Sequence, residues 1–379
     1  MEKRQTAFDD YMESRELVKI VRRYPFQCQT NLNVEYFRRL SFKSEGMSGD
    51  VLASAKIFID NNDIEIVIKL FKVPCPYRQY KLGNKIITKS RNIDDKNRYE
   101  IGNTLLLTNV ILLHNHNLTP HLTFAYYGGV CYSAYETTVS HCNPHHVVTQ
   151  HNYLVPTNCE GKYEQFPQCA FQNEYLSGEL SDTIRYLVVE RAHGDLEQWI
   201  LDNIHTKDFD YILLSQLVMI AYTLYVLDDY FDGFVHGDLG PRNILYTQNM
   251  YSDYYWHYQL NHDNFYIHSH GITPKLWDFS TTYINNVNPL YFDYISGDTN
   301  KIMLLREDLT ILFNKIINLI IETNSHVLPV MNDIMIYSQK MRNKDICMLF
   351  LTSNIVYNTF VNIDINDYQI EQFFSYSSK

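Results

Sequence analysis

His236-Gly-Asp-Leu-Gly-Pro-Arg-Asn-Ile-Leu245 is the stretch on which the reading of this chain turns. It follows the longest apolar run, Tyr211 to Leu227, and a short segment Gly233-Phe234-Val235. Its skeleton is His-x-Asp-Leu-x-x-x-Asn and then two apolar residues. A polar turn set between an apolar helix and an apolar strand can hold Asp238 and Asn243 facing one cavity. Further on comes Lys275-Leu-Trp-Asp-Phe-Ser280, which puts a second carboxylate, Asp278, just past an apolar strand end. Two carboxylates and a carboxamide suit phosphoryl transfer. One carboxylate accepts or orients a hydroxyl proton, while the carboxamide and the other carboxylate hold Mg²⁺ ions against the phosphates. Taken alone, the loop could also be a chance polar turn beside a helix, the weaker of the two readings.

Upstream companions favour the first reading. Ser44-Glu-Gly46-Met-Ser-Gly49-Asp-Val51 carries glycines whose missing Cβ atoms let backbone amides approach phosphates, although two glycines also suit an ordinary hairpin. Lys69 stands eighteen residues after Val51, at the end of the β-branched run Ile64 to Phe71, where a lysine must reach a counter-charge or sit on an edge. Tyr99 to His114 has helical spacing, with Ile101, Leu105, Leu106 and Val110 on one face. Glu100, at the start of that helix, is the chosen partner of Lys69; Asp94 and Asp95 compete, and the segment 72–97 then reads as an insertion. Tyr186-Leu-Val-Val-Glu-Arg-Ala-His-Gly-Asp-Leu196 reads as strand, turn and helix, with Asp195 placed to cap the helix or to touch a ligand.

In this order the landmarks resemble the protein-kinase superfamily over about residues 41–375, and most of all the divergent kinases of large DNA viruses. The loop resembles the kinase catalytic loop, and Asp278-Phe-Ser280 resembles the Asp-Phe-Gly metal motif. The resemblance implies an α+β, bilobal kinase-like fold with a small β-rich lobe and a larger helical one. It makes residues 1–40 an N-terminal helical extension and 41–192 the small lobe and hinge, with a Cys/His-rich insertion. Residues 193–379 become the large lobe, with an insertion at 246–274. By the same match Asp238 is the catalytic base, Asn243 and Asp278 are Mg²⁺ ligands, and Lys69 with Glu100 positions ATP. Gly46, Gly49, Val51, Val189, the Glu190 carbonyl, the Ala192 amide and Leu245 line the nucleotide, and Asp308 anchors the catalytic loop's backbone. The implied partner is a protein substrate phosphorylated on Ser or Thr.

Departures matter as much. Gly237 replaces the Arg before the catalytic Asp, so switching through an activation-loop phosphate is not expected. Gly240 replaces the Lys that neutralises the transferring phosphoryl in Ser/Thr kinases; Arg242, four residues after Asp238, is expected to supply that charge. Ser280 replaces a glycine, and no Ala-Pro-Glu follows. His-Gly-Asp-Leu-x-Pro-x-Asn is also the spelling found in kinase-like small-molecule phosphotransferases of the aminoglycoside and choline type. That activity, and a nucleotide-binding pseudokinase, are the alternatives.

Composition bounds these readings. The chain has 379 residues, 45% hydrophobic and 20% charged, enough for a large core and two or three structural units. With 43 acidic against 32 basic residues its net charge is −11, which disfavours non-specific nucleic-acid binding. Seven Cys, an odd count in a long chain, suit a reducing compartment, and the first residues lack the apolar run of a signal peptide. A cytoplasmic location is expected, host cytoplasm or virion if the source is viral. Tyr211 to Leu227 approaches membrane-spanning length, but Ser215, Gln216 and Thr223 interrupt it, so a buried helix is expected. Cys131, His141, Cys142, His145, His146, Cys159 and Cys169 crowd one insertion, yet no second short-spaced pair completes a zinc set.

Overall fold

The computed structural model describes residues 7–22, 41–45, 51–59, 62–74, 77–82, 85–90, 96–131, 180–248, 255–285, 287, 307–338, 341–361 and 370–376. It is a mixed α+β protein of small sheets and helices. The chain divides into two compact units: one comprises Leu17–Leu105 and Phe124–Arg191, the other Met1–Glu16, Leu106–Thr123 and Ala192–Lys379. Helices α1 (Ala7–Val21) and α2 (Lys96–Leu107) each contribute residues to both.

The first unit is built on strands β1 (Ser41–Glu45), β2 (Val51–Ile59), β3 (Asn62–Pro74), β6 (Ala125–Cys131) and β7 (Leu180–Glu190), ordered β1-β2-β3-β7-β6 with every pair antiparallel. β3 explains its own place. Ile64, Ile66, Ile68 and Leu70 alternate onto one buried face, while Lys69 and Phe71 are buried on the other. A strand covered on both sides needs this β-branched richness. Between Lys69 and Glu100 the chain makes a hairpin, β4 (Tyr77–Leu82) with β5 (Lys85–Ser90), in register Tyr77 to Ser90. The helix expected over 99–114 starts earlier and changes character, because Thr108–His114 continues α2 as π-helix. Its buried positions are Glu100, Ile101, Asn103, Thr104, Leu107, Thr108, Ile111 and Leu112; Leu105, Leu106 and Val110 are only half-buried. The buried face therefore departs from the expected one before the π-helical turn begins at Thr108.

The second unit surrounds α4 (Phe209–Tyr230), whose residues Leu213 to Leu227 are all buried. It follows α3 (Leu196–Asn203), capped by the Asp195 carboxylate accepting from the Gln198 amide at 2.9 Å. α4 is long and apolar enough to cross a membrane by length and composition, but 83% of its most apolar window is buried inside the protein. Its interrupting hydroxyls are satisfied locally: Ser215 Oγ donates to the Tyr211 carbonyl, and Thr223 Oγ1 to that of Met219. α5 (Asp308–Ile320) buries Leu309, Leu312, Phe313, Ile316, Ile317 and Ile320, a 3-and-4 spacing that makes one apolar face. α6 (Val327–Tyr337), α7 (Asn343–Leu351) and α8 (Asn354–Phe360) complete the helical part.

Residues 106–123 group with the second unit. Hydrogen bonds to the 272–276 strand hold them there: Thr123 N donates to the Leu276 carbonyl and Leu276 N to that of His121. The side chain of His121 also bonds the Pro274 carbonyl (2.9 Å) and the Tyr258 hydroxyl (2.7 Å). Helix α1 likewise bonds within both units. Arg15 on α1 donates to the carbonyls of Leu112 and Leu113 in the second unit, whereas Arg22 donates to those of Ala125 and Tyr126 in the first.

Within the 246–274 insertion the described residues include β-structure. β11 (Tyr255–Leu260) and β12 (Asp263–His268) form a hairpin, and β15 (Ile370–Tyr376) runs parallel to β11. Trp256, Tyr258 and Leu260 alternate inward, with Phe265 and Ile267 opposite them. The Cys/His cluster lies outside the described residues, apart from the backbone of Cys131 at the end of β6.

Candidate active site

The informative loop leaves β9 (Phe234–Val235), passes a turn of 3-10 helix at Pro241–Asn243 and enters β10 (Ile244–Gln248). β10 lies between β8 (Gly194–Asp195) and β13 (Ile272–Leu276), both antiparallel to it. Ile244 faces Leu276, and Trp277 N donates to the Asn243 carbonyl at 3.0 Å, so the sheet brings Asn243 alongside the start of the Trp277-Asp278 turn. β14 (Tyr283–Ile284) then returns to pair with β9, closing the segment on itself.

Asp308, at the first residue of α5, fixes the loop's backbone. Fully buried, it accepts from the amides of His236 (2.6 Å, Oδ2) and Gly237 (3.0 Å, Oδ1), and its Oδ2 also accepts from Asn343 Nδ2 at 3.2 Å. Burial pushes its carboxyl above the ordinary carboxylate range, while His236 and the two amides pull the other way. The His236 carbonyl accepts from the hydroxyls of Thr281 and Thr282, both at 3.1 Å, and the His236 ring reaches the Trp277 carbonyl at 2.8 Å. The glycine that replaces the usual Arg has a steric reason. Gly237 sits at φ +85°, and a Cβ there would lie 2.5 Å from the Thr281 carbonyl oxygen.

Asp238 projects from this frame with its side chain 61% exposed. Asn243 Nδ2 donates to the Asp238 carbonyl (2.8 Å) and lies 3.5 Å from its Oδ2. The amide nitrogen thus faces Asp238, which leaves the amide oxygen as the end that can serve a cation. Asp278 is half-buried and left-handed at φ 61°, a conformation that Asp tolerates better than most residues. An amide oxygen and a carboxylate are hard donors that fit Mg²⁺, which takes one or two carboxylates and completes its shell with phosphates and water. No group of three or more His, Cys, Asp or Glu suited to a metal occurs among the described residues.

Arg242, expected to supply a charge to the phosphoryl, is paired with a carboxylate of α3. It makes a bidentate pair with Glu197 of α3, at 2.8 and 2.7 Å, which raises its pKa further. The cation beside Asp238 is instead Lys315, whose Nζ lies 3.2 Å from Asp238 Oδ1. Sequence reasoning missed Lys315, although a signal existed. It lies two turns after Asp308, on the face of α5 that addresses the loop, and is the one lysine of that helix.

In the first unit, Lys69 is paired in β3 with Leu187 of β7 and Leu52 of β2. Its Nζ lies 2.7 Å from Glu100 Oε1, with the two side chains only 8% and 1% exposed, and 5.1 Å from the Phe71 ring. Asp94 and Asp95 lie outside the described residues, as do Gly46 and Gly49. Val51 opens β2 opposite Leu70. Val189 is buried in β7 opposite Val67, and the Glu190 side chain is tied down by the Phe124 amide at 2.7 Å. The passage between units falls at Arg191 and Ala192, the latter half-buried. In the second unit Leu245 is half-buried between Lys275 and Asp195.

No protein-family model matches this chain. Over 98 residues it is 37% identical to a protein of Acanthamoeba polyphaga mimivirus that carries the provisional name serine/threonine-protein kinase R301. The match covers 24% of each, so the chain spans about a quarter of the length of that relative. The similarity supports a kinase-like relationship.

Proposed function

We propose that this protein is a phosphotransferase of the protein-kinase type, its two units corresponding to the two lobes of that fold, and that it moves the γ-phosphoryl of ATP to Ser or Thr hydroxyls of protein substrates. The observation that carries the reading is the frame around Asp238: its backbone is set by Asp308 through two amides, and Asn243 is bonded to the same residue. A carboxylate held this firmly at its base and open at its tip suits a group that must orient an incoming hydroxyl. Mg²⁺, held by Asn243 and Asp278, would supply charge neutralisation at the phosphates. The buried Lys69, paired with Glu100 at 2.7 Å, would meet the α- and β-phosphates. The mimivirus relative's name adds a protein-kinase precedent.

The test is incubation of the full chain with labelled ATP and Mg²⁺, alone, with a casein-like protein, and with aminoglycosides or choline. Transfer to protein Ser or Thr, lost by roughly 10²-fold or more in Asp238→Asn, is the expected result. Asp278→Asn should lose Mg²⁺-dependent nucleotide binding, whereas Asp238→Asn should keep it. Label appearing only on a small alcohol would establish the small-molecule reading, to which the His236-Gly-Asp-Leu-x-Pro-x-Asn spelling also conforms. Nucleotide binding without any transfer would make the protein a binding module.

A further inference from the structure

We propose that Lys315 of α5 supplies the cation facing the transferring phosphoryl, in place of the charge absent from the loop at Gly240. The inference rests on the phosphotransfer reading and deepens it by assigning a residue that no loop motif contains. In the step concerned, the substrate hydroxyl oxygen bonds to the γ-phosphorus while the bond from that phosphorus to the β–γ bridging oxygen breaks. ADP leaves with the electron pair, and the hydroxyl proton goes to Asp238. Charge spreads over the three equatorial phosphoryl oxygens, so a cation beside the base stabilises the transition state more than the ground state.

Three observations point to Lys315. First, its Nζ is 3.2 Å from Asp238 Oδ1, within one hydrogen bond of the carboxylate that would orient the nucleophile. Second, the space beside Gly240 is taken up by this side chain. A Cβ on Gly240 would lie 2.7 Å from Lys315 Nζ and 2.9 Å from its Cδ, so a side chain at 240 would displace the Lys315 ammonium from its present place beside Asp238. Gly240 itself has φ −150° and ψ 166°, extended backbone open to any residue, so the turn does not require a glycine there. Third, the rival cation is engaged elsewhere, since Arg242 is bound through two bonds to Glu197.

The alternative is a surface ion pair with no part in transfer. With Asp238 61% and Lys315 42% exposed, such a pair contributes little to stability. Stability and chemistry therefore separate cleanly. The experiment measures kcat, KM for ATP and the melting temperature in the full-length parent, Lys315→Ala, and the relocated-charge variant Lys315→Ala with Gly240→Lys. We expect Lys315→Ala to lower kcat roughly 10²-fold, with KM for ATP within about threefold and the melting temperature unchanged. We expect the relocated lysine to restore at least about a tenth of the parent kcat. A kcat for Lys315→Ala within about threefold of the parent, while Asp238→Asn is inactive, overturns the assignment. So does a folded relocation variant as slow as Lys315→Ala. A parent that transfers phosphate to nothing fails differently: it removes the phosphotransfer reading itself, and this inference with it.

Discussion

Replacing Asp308 by Asn tests how the loop around Asp238 is held. The carboxylate has both oxygens committed, Oδ2 to His236 N and Asn343 Nδ2, Oδ1 to Gly237 N. Asn keeps one oxygen and turns the other into a donor. If the oxygen stays with His236 and Asn343, the new NH₂ opposes the Gly237 amide, and a donor left unsatisfied costs about 1–3 kcal/mol. The two retained bonds lose their charge assistance, about 1 kcal/mol each. Against this, the variant no longer buries a charge, a cost visible in the raised pKa of the native carboxyl. We expect a net loss of about 2 kcal/mol, or roughly 4–8 °C in melting temperature for a unit of this size. Amide exchange gives the local measure: His236 and Gly237 should exchange about thirtyfold faster, and kcat should fall with them because Asp238 is the next residue. If the Asp308→Asn protein melts within about 1 °C of the parent and both amides stay protected, Asp308 is not the anchor and the reasoning fails.

Other expectations follow from single contacts. Glu100→Gln strands a buried ammonium and should cost about 3 kcal/mol in urea unfolding, whereas Lys69→Met with Glu100→Leu should regain that stability without regaining transfer. A double variant as active as the parent would remove Lys69 from the chemistry. Gly237→Ala forces a Cβ against the Thr281 carbonyl at positive φ and should destabilise by roughly 2 kcal/mol or more, read from a shifted melting curve. His121 is buried, with Nδ1 toward the Pro274 carbonyl and Nε2 toward the Tyr258 hydroxyl, and burial takes its pKa down to about 3. Because the folded value lies below the unfolded one, its contribution is complete above about pH 6.5. It is lost at about 1.4 kcal/mol per unit as pH falls toward about 3. His121→Gln should flatten that acid limb, and an unchanged slope between about pH 6 and pH 4 would refute the assignment.

Legibility from sequence followed the range of the interactions. The polar loop, the Asp278 turn and the Lys69-bearing strand are legible as local structure because local spacing and short apolar runs define them, and Asp308 because it opens an amphipathic helix. The pairing of Lys69 with Glu100 was choosable because a buried lysine needs an acid at a helix start. Lys315 is marked in the sequence only by its place two turns after Asp308; its contact with Asp238 depends on how α5 packs against a loop more than 70 residues earlier, which that local signal does not specify. The 255–268 hairpin was read as a polar insertion because Tyr, His and Asn dominate its composition. Its period of two, with Trp256, Tyr258 and Leu260 inward, was present but masked by aromatic residues on both faces. The grouping of residues 106–123 with the second unit depends on hydrogen bonds to β13, far along the chain, which no local pattern displays.

The start of α7 has a bearing on how the molecule is made. Asn343 bonds Asp308, which holds the His236 and Gly237 amides; Lys344 N bonds Asp228, whose other oxygen holds Phe234 N at 2.8 Å. Two neighbouring residues thus lock both ends of the strand leading into the Asp238 loop. On the ribosome they emerge about a hundred residues after that loop, a delay of roughly 5–20 seconds at ordinary elongation rates. Until then the segment has its letters but not its clasp, so nascent chains halted short of residue 344 should be inert even though every motif has already been translated.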